Sequence, residues 1–561
     1  MAIMVTRRRF AALHLSLLLM PLIFSISASL SLYARASVDD DLIWGVSKAD
    51  AIQSITWNVT YGIRSPLGTD QQVLLINGGF PGPEIPTVTN VNLEINVINS
   101  LDEPLLFTWN GIWQRRSSWQ DGVLGTNCPI LPGQNFTYFF QVKDQIGSYF
   151  YFPSTGFLKA AGGFGGLKID NRVIIPLPYP APDGDLFVLI GDWYNANHTD
   201  LQAQLDGGGR LGPPDGIVIN GKGPFGEYVT LDPGKTYRLR TCNVGIATAL
   251  NFRIAGHNLT VVEAEGSHTK QNSYENLDIH VGQCYSVLVT LNQAPGDYYM
   301  VASSRFTDPV LNGIGTIHYS NSGSKVSGPL PPGPTTEIGY SIDQARTITW
   351  NLTANAARPN PQGSFHYGMI NVTETAVLEG TSTAIDGKQR YAVNSISYVN
   401  PDTPLKLADY FNIGGVFSLD FPRNPSGSSP FMGAFVLNTV YRGFLEIVFQ
   451  NDESIVQSWH IDGYAGFLVG SDGGRWSSAS RGEYNLVDAV ARSTFQVYPQ
   501  SWTAVMLSLD NVGMWHVRSQ IWERQYLGEQ LYFKVPNPDG SFRNEADIPA
   551  NALRCGKAIG H

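Results

Sequence analysis

The chain has 561 residues, with 37 basic and 47 acidic side chains and a formal net charge of −10. That balance excludes a basic nucleic-acid-binding surface and suits an extracellular protein. The length exceeds one ordinary core, and 58 glycines, 34 prolines and 11% aromatic residues favour many short strands over helices, so an all-β chain of several domains is expected.

The N-terminus opens with Arg7, Arg8 and Arg9, continues through an apolar stretch and reaches Ala34-Arg35-Ala36, a small-x-small cleavage pattern. It reads as a secretory signal peptide over residues 1–36. The competing reading is an uncleaved anchor, because the apolar stretch is long. Cleavage after Ala36 removes four arginines and no acid, leaving 33 basic against 47 acidic residues, or −14. No later segment reads as transmembrane, and the C-terminus, "NEADIPANALRCGKAIGH", carries no lipid-anchor signal.

Strand signals follow in series. "VNLEINVIN" alternates Val91, Leu93, Ile95 and Val97 against Asn92, Glu94 and Asn96, the period of a half-buried strand. "NFTYFFQV", "GSYFYF", "DLFVLIGDW", "TYRLRTCNV", "QCYSVLVTL", "FLEIVFQN" and "SWTAVMLSL" are of the same kind, separated by Gly, Pro, Asn or Asp. Such spacing predicts β-sandwiches or Greek-key barrels. "DLQAQLDGGGR" (Asp200 to Arg210) predicts one short helix with a glycine stop, and "GGFGG" (Gly162 to Gly166) reads as flexible backbone. "NSGSKVSGPLPPGPTTE" (Asn321 to Glu337) is a linker signal. With a module change near Lys168 to Pro178, the parse is domain one at 38–170, domain two at 171–322, a linker at 323–344, domain three at 345–545 and a tail at 546–561.

Six Asn-x-Thr sequons, at Asn58, Asn135, Asn197, Asn258, Asn351 and Asn371, read as surface glycosylation sites in a secreted chain. Four cysteines, Cys128, Cys242, Cys284 and Cys555, suggest two disulfides, with three pairings open, and no Cys-x-x-Cys zinc pattern is present. His257, His268, His280, His318, His366 and His516 are dispersed, and no metalloprotease helix, nucleophile elbow or phosphate loop occurs.

Several strings resemble the three-domain multicopper oxidases of plants, the ascorbate oxidase and laccase family. "INGGFPGPEI" (Ile76 to Ile85) resembles the start of the family's first domain and "INGKGPF" (Ile219 to Phe225) its second. "TWNGIWQ" (Thr108 to Gln114), "GSYFYFPS" (Gly147 to Ser154), "QSWHIDGYAGFLVG" (from Gln457) and "GMWHVRSQIWERQYLGE" (from Gly513) resemble the four copper segments in order. The resemblance implies three cupredoxin-like Greek-key β-sandwiches. It further implies that Cys128 pairs with Cys555, which leaves Cys242 with Cys284.

Such oxidases hold a type 1 copper through imidazoles and a thiolate, and a three-copper cluster through His-x-His pairs, because alternate strand residues share a face. By the resemblance, the copper positions here hold Thr108, Asn110, Phe152, Ser154, Gln457, Asp462, Arg518, Ser519, Gln520, Arg524 and Glu529, and His460 alone is retained. No cysteine falls in a copper segment. Arginine–carboxylate pairs among Arg518, Arg524, Asp462 and Glu529 are expected to replace the metal charges and to lock domain one to domain three. This departure is similar to the plant monocopper oxidase-like proteins, also called SKU5-similar proteins or ascorbate oxidase homologues.

Two functions follow. The first is a secreted, glycosylated multicopper-oxidase-like protein of the plant cell wall. It would act without oxidase chemistry in cell expansion, directional growth or pollen-tube growth, with a wall polysaccharide, phenolic or protein partner and no nucleic acid. No cofactor is expected, and at most one copper ion. The alternative is an oxidoreductase with a single residual copper near His460. Whether the chain is an enzyme stays open at this point, and no residue is assigned a catalytic role.

Overall fold

The computed structural model describes residues 42–43, 46–47, 51–354 and 371–561. The signal-peptide region and His366 lie outside the described residues. Among the described residues no helix is long and apolar enough to cross a membrane.

Strands dominate, and they assemble into three sandwiches. In the first, Ile52–Arg64, Gln71–Ile76, Asn92–Asn99 and Asn135–Gln141 form one sheet, and Ile85–Val88, Phe107–Asn110, Gly147–Pro153 and Gly165–Asp170 the other. The second combines a six-stranded sheet containing Gly184–Trp193, Thr236–Asn243 and Cys284–Thr290 with a five-stranded one containing Leu250–Ile254 and Asp297–Ser304. The third combines an eight-stranded sheet around Glu374–Ile385, Phe444–Asn451 and Ser501–Ser508 with a five-stranded sheet built on Gln457–Ile461, Gly513–Ser519 and Gln530–Val535.

One topological feature recurs in all three. An early strand runs parallel to a later one: Ile52–Arg64 beside Asn92–Asn99, Gly184–Trp193 beside Thr236–Asn243, and Glu374–Ile385 beside Phe444–Asn451. Parallel neighbours require a crossover rather than a hairpin, which carries the chain to the facing sheet. Each sandwich closes over its own apolar core. A further core lies where the three meet. Phe150, Phe152 and Phe157 of the first sandwich pack there with Leu189 and Trp193 of the second and Tyr391 and Trp522 of the third.

The alternation in Asn92–Asn99 is realised, with Leu93, Ile95 and Val97 buried and the residues between half-exposed. The expected short helix is His198–Asp206, ended by Gly207. Two expectations are corrected. Gly162–Gly166 is buried and packed, not flexible: a Cβ at Gly165 would stand 2.2 Å from the Tyr151 hydroxyl. The later part of the linker folds as the helix Ile338–Thr347, whose Gln344 side-chain oxygen accepts from the Asp278 backbone and whose amide donates to the Asn276 carbonyl. That contact with the second sandwich supplies stability that the local sequence does not.

Both disulfides pair as the resemblance implied. Cys242 and Cys284 sit directly opposite on adjacent antiparallel strands. Cys128–Cys555 spans 427 residues and ties the tail back to the first sandwich.

Candidate functional site: two charged clusters at the domain junction

The strand Gln457–Ile461 pairs antiparallel with Gly513–Ser519, so that His460 lies opposite Arg518 and Trp459 opposite Ser519. Side chains alternate across a strand. Trp459 therefore enters the core of the third sandwich, while His460, Arg518 and His516 share the other face. The chain then turns at Asp462-Gly463. Gly463 has φ of +79°, and a Cβ there would lie 2.4 Å from the Trp515 ring, so only glycine fits.

This placement builds the first cluster, wholly buried. The Arg518 guanidinium is paired with Asp462. The His460 Nε2 lies 3.0 Å from the Asp462 Oδ1, and its Nδ1 lies 2.8 Å from the Thr494 hydroxyl. Burial, reinforced by the Arg518 charge, pushes His460 down to about 4, so its imidazole is neutral at ordinary pH. Burial would push the Asp462 carboxyl up, but the Arg518 guanidinium outweighs it and holds the group well below the usual carboxylate range. The Thr494 hydroxyl also donates to the Gly282 carbonyl, which ties this cluster to the second sandwich.

The first sandwich reaches this cluster through strands Phe107–Asn110 and Gly147–Pro153, where Thr108 pairs with Phe152. Asn110 is the junction of all three sandwiches: its amide donates to the Gly282 carbonyl, and its oxygen accepts from Arg518 at 3.3 Å and from Gln520 at 2.9 Å. Phe152 lies beneath both Arg518 and Lys159, whose charged atoms stand 5.9 and 4.4 Å from its ring centre. Ser154 donates to the Gly122 carbonyl.

The second cluster is internal to the third sandwich. The Arg524 guanidinium donates to both oxygens of Glu529, at 2.6 and 2.5 Å, and pairs with Glu453 at 2.7 Å. Tyr391 stacks against it, its ring centre 4.4 Å away. Gln457 donates to Glu453 and accepts from the Trp459 indole. Burial pushes Glu529 up despite Arg524. A cleft of about 690 Å3 opens beside this cluster, between the second and third sandwiches, lined in part by Arg210, Phe306, Tyr391, Glu453 and Arg524.

The expected arginine–carboxylate pairs thus form, but both partners of each belong to the third sandwich. The lock to the first sandwich runs instead through Asn110 and Phe152. Four residues of this region were not singled out from sequence as part of the site: His516, Lys159, Asp121 and Glu453. His516 had a signal, since it lies two positions before Arg518 and so on the same face. Lys159 is fully buried without a hydrogen-bond partner, lies over the rings of Phe152 and Trp522, and is pushed by burial and by Arg518 down to about 7. Asp121 is buried with neither oxygen partnered, and burial together with Asp462 raises it well above its usual range. Neither had a legible signal. Among the described residues, no three His, Cys, Asp or Glu side chains converge in a metal-holding arrangement. The sequon asparagines Asn58, Asn135, Asn258 and Asn371 are exposed, and Asn197 and Asn351 half-buried.

Multicopper oxidase sequence models match residues 58–173, 184–322 and 402–541, one in each sandwich. The chain belongs to the multicopper oxidase family. The "L-ascorbate oxidase homolog" of Brassica napus is 54% identical over 512 residues, covering 89% of this chain and 92% of its own length. "Monocopper oxidase-like protein SKU5" of Arabidopsis thaliana is 52% identical over 528 residues, covering 91% and 90%. The laccase structure from Botrytis aclada superposes with a TM-score of 0.71 at 22% identity, over 90% of this chain and 94% of that one. At that identity the likeness establishes the fold, three cupredoxin-like sandwiches. The relatives near half identity place the chain among the plant monocopper oxidase-like proteins.

Proposed function

We propose that this protein is a secreted, glycosylated member of the family that has lost copper-dependent electron transfer and serves the plant cell wall as a structural or binding component during growth. The observation that carries the proposal is the Arg518–Asp462 pair beneath His460. A permanent guanidinium charge occupies the face a cluster of cations would need, and the one retained imidazole is bonded through Nδ1 to Thr494 with its Nε2 beside the Asp462 carboxylate. The donor set does not fit copper: Arg524, Glu529 and Gln457 offer no thiolate or imidazole, and both cysteine pairs lie elsewhere as disulfides. Secretion and glycosylation are supported by the leader pattern and by six sequon asparagines, none of them buried. A wall partner, whether polysaccharide, phenolic or protein, fits the acidic surface better than nucleic acid does.

The competing reading is an oxidoreductase with one copper near His460. It has in its favour that His460 and His516 flank Asp462, at 3.0 and 3.8 Å. Against it, Arg518 would have to leave a buried carboxylate. Oxygen uptake decides between them. Protein from a plant secretory host, supplied with a copper salt and either ascorbate or a phenol, should consume no oxygen above the buffer rate. Turnover that disappears in His460→Ala would reverse the proposal.

A further inference from the structure

A cavity of about 120 Å3 lies between the first and third sandwiches, beside the His460 cluster and apart from the larger cleft. Its mouth carries exposed Asn400 and half-buried Leu124, Ser154 and Tyr526. Its wall includes Thr108, His516, Arg518 and Trp522, all buried. Three of these side chains hold a polar atom without a partner: the Thr108 hydroxyl, the His516 Nδ1 and the Arg518 Nε. Leaving a buried polar atom unpaired costs about 1–3 kcal/mol, so three on one small cavity mark a place built to be filled by something polar.

The lining restricts what that is. Arg518 is the only lining side chain that is always charged, and Asp462 already neutralises it. An anion finds no free cation there, and a cation meets Arg518. The atoms on offer are of both kinds. Arg518 Nε donates. His516 Nε2 donates to the Gln530 side-chain oxygen, whose amide is oriented by its own bond to the Gln525 carbonyl, so His516 Nδ1 accepts. Thr108 does either. A hydroxyl donates and accepts at once, and a ligand carrying several of them meets all three atoms. The rings of Trp522 and Tyr526 add apolar surface that suits the C–H face of a saturated ring, while Tyr532 lies stacked on His516. At about 10–15 Å3 per water-sized probe, the volume exceeds one or two trapped waters and suits a single hydroxylated ring.

We propose that this cavity binds one neutral sugar residue, the end or side branch of a wall polysaccharide. The assignment rests on the wall-binding reading above and names its ligand class. The test is calorimetric titration of the full glycosylated chain with glucose, galactose, xylose and arabinose, with galacturonate and catechol as charged and phenolic controls. At least one neutral sugar should saturate with a Kd on the order of 1 mM. Asn400→Ala at the mouth and the near-isosteric Thr108→Val inside should each weaken it at least about tenfold, while circular dichroism and the melting transition show both variants folded. Galacturonate and catechol should bind more weakly. Absence of saturation by every neutral sugar, equal affinity in both variants, or preference for galacturonate or catechol would overturn the site. These outcomes are separable from the copper question. A copper-free protein that binds no sugar loses this site and keeps the proposed function, and a copper-loaded one that binds sugar does the reverse.

Discussion

The two charged clusters of the third sandwich solve one problem differently. Around Arg524 every charge has a close partner: the guanidinium takes both oxygens of Glu529 and one of Glu453, and Gln457 closes the ring. Around Arg518 the central pair is made, yet Arg518 Nε, His516 Nδ1, Thr108 Oγ and both oxygens of Asp121 are left without partners, and a cavity adjoins the first three residues. The first arrangement is satisfied even though the larger cleft opens beside it, and the second is under-satisfied. Buried charge is tolerated only where it is paired and hydrogen-bonded. A satisfied cluster therefore reads as scaffold, and an under-satisfied one beside a cavity reads as a place for solvent or ligand.

Breaking the under-satisfied cluster should have the largest effect. Asp462→Ala leaves Arg518 buried without its carboxylate and should cost about 4 kcal/mol, read as a shift in the denaturant midpoint. Breaking the satisfied cluster comes next. Arg524→Ala should cost about 3 kcal/mol by stranding Glu529, whereas the double change Arg524→Met with Glu529→Leu should return most of that loss, since apolar replacement of a whole buried pair is near neutral. An unchanged melting temperature in Arg524→Ala would contradict the description of a satisfied, buried pair.

Lys159 sharpens the comparison in the opposite direction. Its amine is held down to about 7, so between there and its ordinary value of 10.5 the unfolded chain binds a proton that the folded chain does not. Stability from this group therefore rises with pH across that window, and the penalty is complete below about 7. Lys159→Met should stabilise the protein by about 2 kcal/mol at pH 6 and flatten the dependence between pH 7 and 10 relative to wild type. Urea titrations of both proteins across that range check it. The smallest effect is expected at the exposed pair Arg346–Asp472, whose side chains are 57% and 61% accessible. Arg346→Ala should change stability by less than about 0.5 kcal/mol.

Much of the fold was written locally. Alternation in "VNLEINVIN" and the glycine after "DLQAQLD" needed only neighbours in sequence, and the structure realises both. The packing of "GGFGG" is not legible locally because its reason is a neighbouring ring, that of Tyr151, which no local pattern announces. The helix Ile338–Thr347 is not legible locally because its anchoring contacts come from the second sandwich. At the site, Arg518 and Asp462 were legible as a charge pair because strand period and the family segments both pointed to them. Lys159 and Asp121 were not, since their environment is assembled from sandwiches hundreds of residues apart. His516 is legible by strand period alone, two positions from Arg518 and on the same face.

The central claim is that paired protein charges stand where this family binds copper. The most direct measurement is copper per chain, by mass spectrometry, in wild-type and His460→Ala protein purified from a plant secretory host after exposure to copper and dialysis. The account predicts only trace copper in both. One copper per wild-type chain, lost in His460→Ala, would contradict it.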